Sequence, residues 1–321
     1  MIRQHTMEAN NFKNTIIAQM ASAYYPYKTP SSEFFLNYFL EHFEGIAGIY
    51  MYGSMLNPVL STPTSFPDFY IIVDDYKRFY KSSIHTLING VLPPNSYFLK
   101  LNDHGTPMPC KYCVLDTRAL EHTTRHPQLK DFFIAGRLAK RIGILYVKDQ
   151  ALLSGFLETI YTAMQFNVRF ALSEIEGDFT LDDFIIHLLG LSYRAEIRTE
   201  TEDKVISLYN SEKDFYRKIY AVFLEQEASL GTIMIHGDRY ETVRPYFTKG
   251  YTTGFMKHAR KRAVYRWPKS IYTFSNYVDY LELKIERTTG ERLELSKWDR
   301  RFPLVFGWRH LFKLLKKKAL R

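Results

Sequence analysis

Residues 46–54, IAGIYMYGS, and residues 68–75, DFYIIVDD, decide the fold of this chain. Each is a short apolar run rich in β-branched and aromatic residues and bounded by turn formers, so each predicts a buried strand. The first stops at Gly53-Ser54; the second opens on Asp68 and ends at Asp74-Asp75. Between them, the proline-rich stretch from Pro58 to Pro67 predicts an extended loop. Working outward, Ser31 or Ser32 can cap a helix that carries Leu36, Phe39, Leu40 and Phe43 at helical spacing and ends at Gly45. A helix is expected from about Tyr76 to Val91, and strands at Tyr97–Leu101, Lys111–Leu115 and Ile142–Val147. Residues 1–150 therefore predict an α/β (α+β) unit built on a mixed sheet.

From Gln150 the periodicity turns helical, and a domain boundary is placed there. Leu153, Phe156, Leu157, Ile160, Met164 and Val168 form the inner stripe of one long helix. Thr180 with Asp183 predicts a capped helix that Gly190 ends, and Ser211 with Asp214 opens another that turns Phe215, Ile219, Val222 and Phe223 inward. The helical second domain spans 151–248, and a basic region spans 249–321. In that last region Trp308, Leu311, Phe312, Leu315 and Ala319 share one stripe, while Arg309, Lys313, Lys316, Lys317 and Arg321 lie mostly off it. A basic amphipathic helix of this kind suits either an interfacial membrane anchor or a terminal helix docked on the protein's own core.

The 321 residues are 46% hydrophobic and 16% aromatic, which excludes a disordered or fibrous chain. The net charge of +9 is uneven: residues 249–321 hold 19 Lys and Arg against 6 Asp and Glu, so the rest of the chain is slightly acidic. Two cysteines are too few for a disulfide framework and fit a reducing compartment. No apolar run approaches the roughly 18 to 20 residues of a transmembrane helix, and the N-terminal segment shows neither a secretory nor a transit pattern. Cys110, Cys113, His122 and His126 come near zinc-ligand spacing, but an odd offset along a strand sends the two thiols to opposite faces, and reduced thiols are expected.

The sharpest chemical pattern is Tyr52-Gly53-Ser54 at a strand end with Asp68 at the start of the next strand. In nucleotidyltransferases of the polymerase-β type, backbone amides and a serine hydroxyl after the first strand cradle phosphates, and a carboxylate on the next strand holds Mg²⁺. Gly-Ser is also a common turn dipeptide, and the second carboxylate usual two residues on is here Tyr70. Asp74 faces the same way as Asp68 but lies about 20 Å along the strand. Asp116 and Glu196 are then the candidates for a second metal ligand.

Several further segments fall in register with this pattern: Lys111-Tyr112 in KYCV, IAGRLAK at 134–140, GLSYRAEIR at 190–198, and Asp203-Lys204-Val205. Together they resemble the mitochondrial translocator assembly and maintenance family of soluble, peripheral phosphatidate cytidylyltransferases. The likeness runs from about Gly48 to Tyr209, with a weaker echo at Lys249–Tyr265. It implies a nucleotidyltransferase-like domain, a helical, winged-helix-like second domain, and Mg²⁺-dependent transfer of CMP from CTP to phosphatidic acid with release of pyrophosphate. Carried over by position, Gly53 and Ser54 would hold the CTP phosphates, Asp68 would bind the metal, and Lys111 would offset phosphate charge. Tyr193, Glu196 and Arg198 would close the site, with Glu196 as a further metal ligand. The chain departs from the family at Met55 and Cys113, where glycine is usual, and at Glu196, where aspartate is usual.

A lipid substrate agrees with the basic tail, because an anionic surface attracts Lys and Arg by about 1 kcal/mol each; no nucleic acid is expected as a partner. A nucleotidyltransferase acting on RNA and a non-catalytic membrane-surface protein on the same fold are the competing readings. The expected setting is peripheral, on the cytoplasmic face of a bacterial inner membrane, with the matrix face of the mitochondrial inner membrane as the alternative. Read without the likeness, Lys111 is a surface lysine, Arg137 and Lys140 pair with acidic neighbours on a helix, and Tyr193 is a core aromatic.

Overall fold

A computed structural model describes residues 2–62, 65–125, 132–196 and 202–273, together with Ser296 and Trp298. Helices α1 (Ile2–Tyr24) and α2 (Pro30–His42) lead into the sheet. The cap of α2 is Thr29 rather than Ser31 or Ser32: Pro30 fills the first turn, and Ser32 returns the bond in a reciprocal capping box. Gly45, at φ 72°, then turns the chain into β1 (Ile46–Tyr52), every residue of which is buried.

β2 (Asp68–Val73) pairs antiparallel with β1 from Tyr52↔Asp68 onward. The single helix expected over 76–91 is two, α3 (Tyr76–Tyr80) and α4 (Ser83–Val91), because Lys81 adopts a left-handed conformation at φ 51°. Asp75 caps α3 by accepting from the Lys77 and Arg78 amides, while Asp74 pairs with Lys148 at 3.2 Å. β3 (Asn95–Asp103) and β4 (Thr106–Asp116) form a hairpin about His104-Gly105, both with positive φ. α5 (Thr117–Arg125), α6 (Ala135–Leu138) and β5 (Gly143–Val147) complete a five-stranded sheet ordered β3-β4-β2-β1-β5, in which only the β2–β4 pair is parallel. The expected mixed sheet is present, with β3 and β4 longer than their apolar centres indicated.

α7 (Gln150–Glu174), capped by Asp149, is the long helix the periodicity predicts. It crosses the sheet where Gly48 has no side chain; a Cβ there would lie 2.3 Å from the Phe156 ring. β6 (Asp178–Thr180), α8 (Leu181–Arg194), α9 (Glu202–Ser211), α10 (Lys213–Ser229), β7 (Ile233–His236) and β8 (Arg239–Thr242) follow, the strands forming a small sheet ordered β6-β8-β7. α8 has the expected capping box at Thr180 and Asp183, but it does not stop at Gly190. Leu188, Leu189, Leu191 and Ser192 are buried on either side of the glycine, and that packing carries the helix on to Arg194. α10 starts after Glu212, not at Ser211, whose hydroxyl instead donates back to the Leu208 carbonyl. α11 (Lys249–Thr273) follows.

Both faces of the five-stranded sheet are covered. Phe35 and Phe39 of α2 pack on Ile49, Met51, Phe69, Ile71 and Val114. On the other face Tyr50, Tyr52, Tyr70, Ile72, Cys113 and Leu115 merge with α7, α8 and α10 into one larger core. Among the described residues no helix is long and apolar enough to cross a membrane. The amphipathic stripe from Trp308 to Arg321 lies outside the described residues.

Candidate active site

The strand register builds one transverse row across four strands: Phe98 on β3, Lys111 on β4, Asp68 on β2 and Tyr52 on β1. Gly53 follows at the end of β1 with φ 89°, and a Cβ there would stand 3.1 Å from Asp68 Oδ2. Glycine is therefore what lets the main chain turn this close to the carboxylate. Ser54 begins a single 3₁₀ turn, Ser54–Leu56, closed by the Leu56 and Asn57 amides donating to the Gly53 and Ser54 carbonyls. Met55 does not open that turn: its side chain packs on the core, and its Sδ accepts from the Ser61 hydroxyl at 3.2 Å. Gly53, Ser54, Asp68 and Lys111 are thus brought together at one end of the sheet.

At the position two residues beyond Asp68, Tyr70 is fully buried, with its ring 5.0 Å from Tyr50 and 4.9 Å from Tyr52. Burial pushes the Tyr52 and Tyr70 phenols up, so both stay neutral. A carboxylate from another element is linked to these rings through an arginine. Glu196, just beyond α8, accepts two bonds from Arg137 of α6, at 2.8 and 3.2 Å, and the two side chains are only 11% and 10% exposed. The guanidinium lies over the Tyr52 and Phe133 rings, at 5.8 and 3.8 Å. Burial disfavours the Arg137 cation, but the Glu196 carboxylate more than offsets this and holds it charged.

Beside this pair, Lys140 Nζ donates to Ser192 Oγ at 2.8 Å and lies 3.9 Å from the Tyr193 ring centre. Arg137 and Lys140 do have partners, but across 59 and 52 residues of sequence rather than on their own helix. The approach of α6 to α8 depends on Gly136, where a Cβ would fall 2.6 Å from Ser192 Cβ. Gly136→Ala is expected to destabilise the protein by about 1–3 kcal/mol through overpacking, read as a lower urea midpoint.

A further wall of the site was not among the sequence candidates. α11 buries Thr252, Phe255, Ala259, Ala263 and Arg266, so a stripe that starts apolar turns cationic toward its C-terminal end. The Arg266 guanidinium lies 4.4 Å over the Phe133 ring and donates to the Pro93 carbonyl at 3.3 Å. Lys269 Nζ donates to the carbonyls of Leu92 and of Pro94, the latter at 2.6 Å. Arg137 lies over the same Phe133 ring, so the two guanidinium groups share one aromatic platform. The spacing of Arg262, Arg266 and Lys269 at i, i+4 and i+7 carried a signal for a shared face, but nothing in it showed that the face is inward.

Burial, reinforced by the Arg266 charge, lowers the Lys269 amine to about 7. The unfolded chain keeps that proton up to about pH 10.4, so this group makes stability rise with pH between the two values, by at most about 1.4 kcal/mol per pH unit. Lys269→Met is expected to flatten the rise when urea midpoints at pH 7 and pH 9 are compared.

The remaining metal candidates are separated by the fold. Asp116 stands beside Val73, five residues from the Asp68 row and therefore about 17 Å away, and its Oδ1 caps α5 by accepting from the Ala119 amide at 2.5 Å. It is not a second ligand beside Asp68. Both oxygens of Glu196 already accept from Arg137, so the geometry gives its metal role no support. Cys110 and Cys113 are reduced and sit on opposite sheet faces, which dismantles the zinc spacing; His126 lies outside the described residues. Arg198 also lies outside them. Among the described residues no group of three or more His, Cys, Asp or Glu is placed to hold a metal. The donor set, one carboxylate beside cationic side chains, fits a Mg²⁺ that arrives on a triphosphate, since Mg²⁺ binds through one or two carboxylates together with substrate phosphates.

A strand-end carboxylate, a glycine-serine turn and converging Lys and Arg side chains define a site suited to an enzyme that handles phosphate groups. A family model described as phosphatidate cytidylyltransferase, mitochondrial, matches residues 40–294, which takes in every site residue discussed here. The chain belongs to the mitochondrial phosphatidate cytidylyltransferase family, and it is a transferase that makes CDP-diacylglycerol from CTP and phosphatidate. No significant match is found among curated proteins.

Proposed function

We propose that the Asp68 row is where CTP and phosphatidate meet. The observation that carries this is the register that sets Lys111, Asp68 and Tyr52 side by side with Gly53 against the Asp68 carboxylate. Gly53 and Ser54 hold the CTP phosphates, Lys111 offsets their charge, and Tyr193 and Arg198 close the site. Asp68 holds a Mg²⁺ that would neutralise phosphate charge. Glu196 acts by fixing Arg137 over the sheet. A phosphate oxygen of phosphatidate attacks the CTP α-phosphorus; as that P–O bond forms, the bond to the bridging oxygen breaks and pyrophosphate leaves with the electron pair. The nucleophile is already an anion, so no base is required, and the protein's task is alignment and charge neutralisation.

The five-stranded mixed sheet, with its carboxylate at a strand end, supports the nucleotidyltransferase-like reading of residues 1–150. The order α7, β6, α8, α9, α10, then the β7–β8 hairpin, with strands arranged β6-β8-β7, supports a winged-helix-like second domain over 151–248. The excess of Lys and Arg in 249–321 supports membrane binding by that region. The family's mitochondrial description favours the matrix face of the inner membrane and gives the bacterial setting no support.

Purified protein given CTP, Mg²⁺ and phosphatidate vesicles should release pyrophosphate, lose the activity in EDTA and regain it with excess Mg²⁺. Release that survives EDTA would remove Mg²⁺ from this account, and no release would overturn the assignment of substrates to this site.

A further inference from the structure

α4 is built inside out. Its buried anchor is polar: Asn89, fully enclosed, donates to the Val114 carbonyl and the Tyr80 hydroxyl and accepts from the Asn95 amide. Three of its four large aliphatic side chains point the other way, with Ile88 half-buried. Ile84, Leu87 and Val91, at i, i+3 and i+7, are 68%, 68% and 73% exposed, so they form one apolar stripe along a nine-residue helix. Single exposed aliphatics are ordinary on a protein surface, but three in register on a helix whose inner face is held by an asparagine call for a partner.

The surroundings indicate which partner. The carbonyls that follow α4, at Leu92 and Pro94, accept from Lys269, and the Pro93 carbonyl accepts from Arg266, so the end of the stripe is fastened to α11. The outward face of α11 presents Lys257, Lys261 and Tyr265, all exposed. Lys261 stands about 12 Å before Lys269 along that helix, from the helical rise. Aliphatic side chains that can enter the acyl boundary, a tyrosine at headgroup level and lysines facing lipid phosphates make a surface complementary to an anionic bilayer. A protein interface would centre on aromatic or arginine anchors in a pocket, and the stripe on α4 contains neither.

We propose that α4 and the outward face of α11 form a membrane-docking surface of their own, independent of residues 308–321, that seats the catalytic cleft against an anionic bilayer. Arg266 and Lys269 tie this surface to the cleft, since they bond the carbonyls that follow α4 while Arg266 shares the Phe133 ring with Arg137. The purpose of the surface rests on the cytidylyltransferase reading; its detection does not.

The test compares the full chain with the triple variant Ile84→Gln, Leu87→Gln, Val91→Gln and with Lys257→Glu/Lys261→Glu, in co-sedimentation with phosphatidylcholine vesicles with and without phosphatidate. Both variants should keep the parent's circular dichroism and urea midpoint. Each should bind phosphatidate vesicles about tenfold more weakly, and turnover of vesicle phosphatidate should fall in step while turnover of short-chain, water-soluble phosphatidate is retained. Unchanged vesicle binding, or equal loss on the soluble substrate, would overturn the proposal. So would light scattering showing a parent dimer that the triple variant splits, or hydrogen exchange showing residues 83–92 protected without vesicles until residues 307–321 are deleted. If the parent turns over neither substrate, the catalytic reading fails, and vesicle binding alone still decides this one.

Discussion

Replacing Asp68 with asparagine is expected to cut CMP transfer about a thousandfold without loosening the fold, the scale seen when one electrostatic group aimed at developing charge is removed. Asp68 is the carboxylate in the row, it stands beside Lys111, and the backbone of Gly53 turns against it. Asn keeps the shape and loses the charge, so the thermal midpoint should stay within about a degree or two, as for a substitution outside the packed core. The measurement is turnover together with thermal melting on the same preparation. Near-normal turnover would remove Asp68 from the chemistry, and a collapsed melting point would make it structural.

Arg137→Met is expected to have the largest effect on stability, about 3–5 kcal/mol, because it takes the bidentate cation away from the nearly enclosed Glu196 carboxylate. The pair is bidentate and nearly enclosed, and it joins α6 to the end of α8. Adding Glu196→Leu should recover most of that loss, since replacing both charges with apolar groups removes the desolvation penalty. Activity should stay low in the double variant, because the cation over Tyr52 and Phe133 is not restored. Urea denaturation of the two single variants and the double variant checks this; additive losses would show that the pair is not coupled.

The strands were the most legible part of this fold. β1 and β2 are apolar along their length and end in turn formers, so their limits and the approach of Asp68 to Gly53 follow from the residues themselves. Helix ends were harder, because tertiary packing decided them. Gly190 looked like a stop, yet buried leucines on both sides carry α8 past it. A single helix over 76–91 looked continuous, yet Lys81 breaks it at a left-handed residue whose side chain gives no such signal. α1 went unread although Ile16, Met20 and Tyr24, all buried, repeat at i, i+4 and i+8.

In the site, Gly53, Ser54 and Asp68 were legible because they lie at the facing ends of two neighbouring strands, whereas Lys111 stood out only through the family likeness, its place beside Asp68 depending on the parallel pairing of β2 with β4. Arg137 with Glu196, and Arg266 with Lys269, were not legible, because their meaning depends on contacts between segments far apart in the chain. A lysine or arginine in a helix reads as a solvated charge until the fold shows it facing inward.

The central claim is that this chain moves CMP onto a lipid phosphate at the Asp68 row. Its most direct test supplies CTP labelled at the α-phosphorus, with Mg²⁺, phosphatidate vesicles and RNA together, and follows the label. The account predicts that label enters the lipid phase as CDP-diacylglycerol, one pyrophosphate appearing for each, and that Asp68→Asn stops it. Label entering RNA, or remaining in CTP while the protein binds it, would contradict the account.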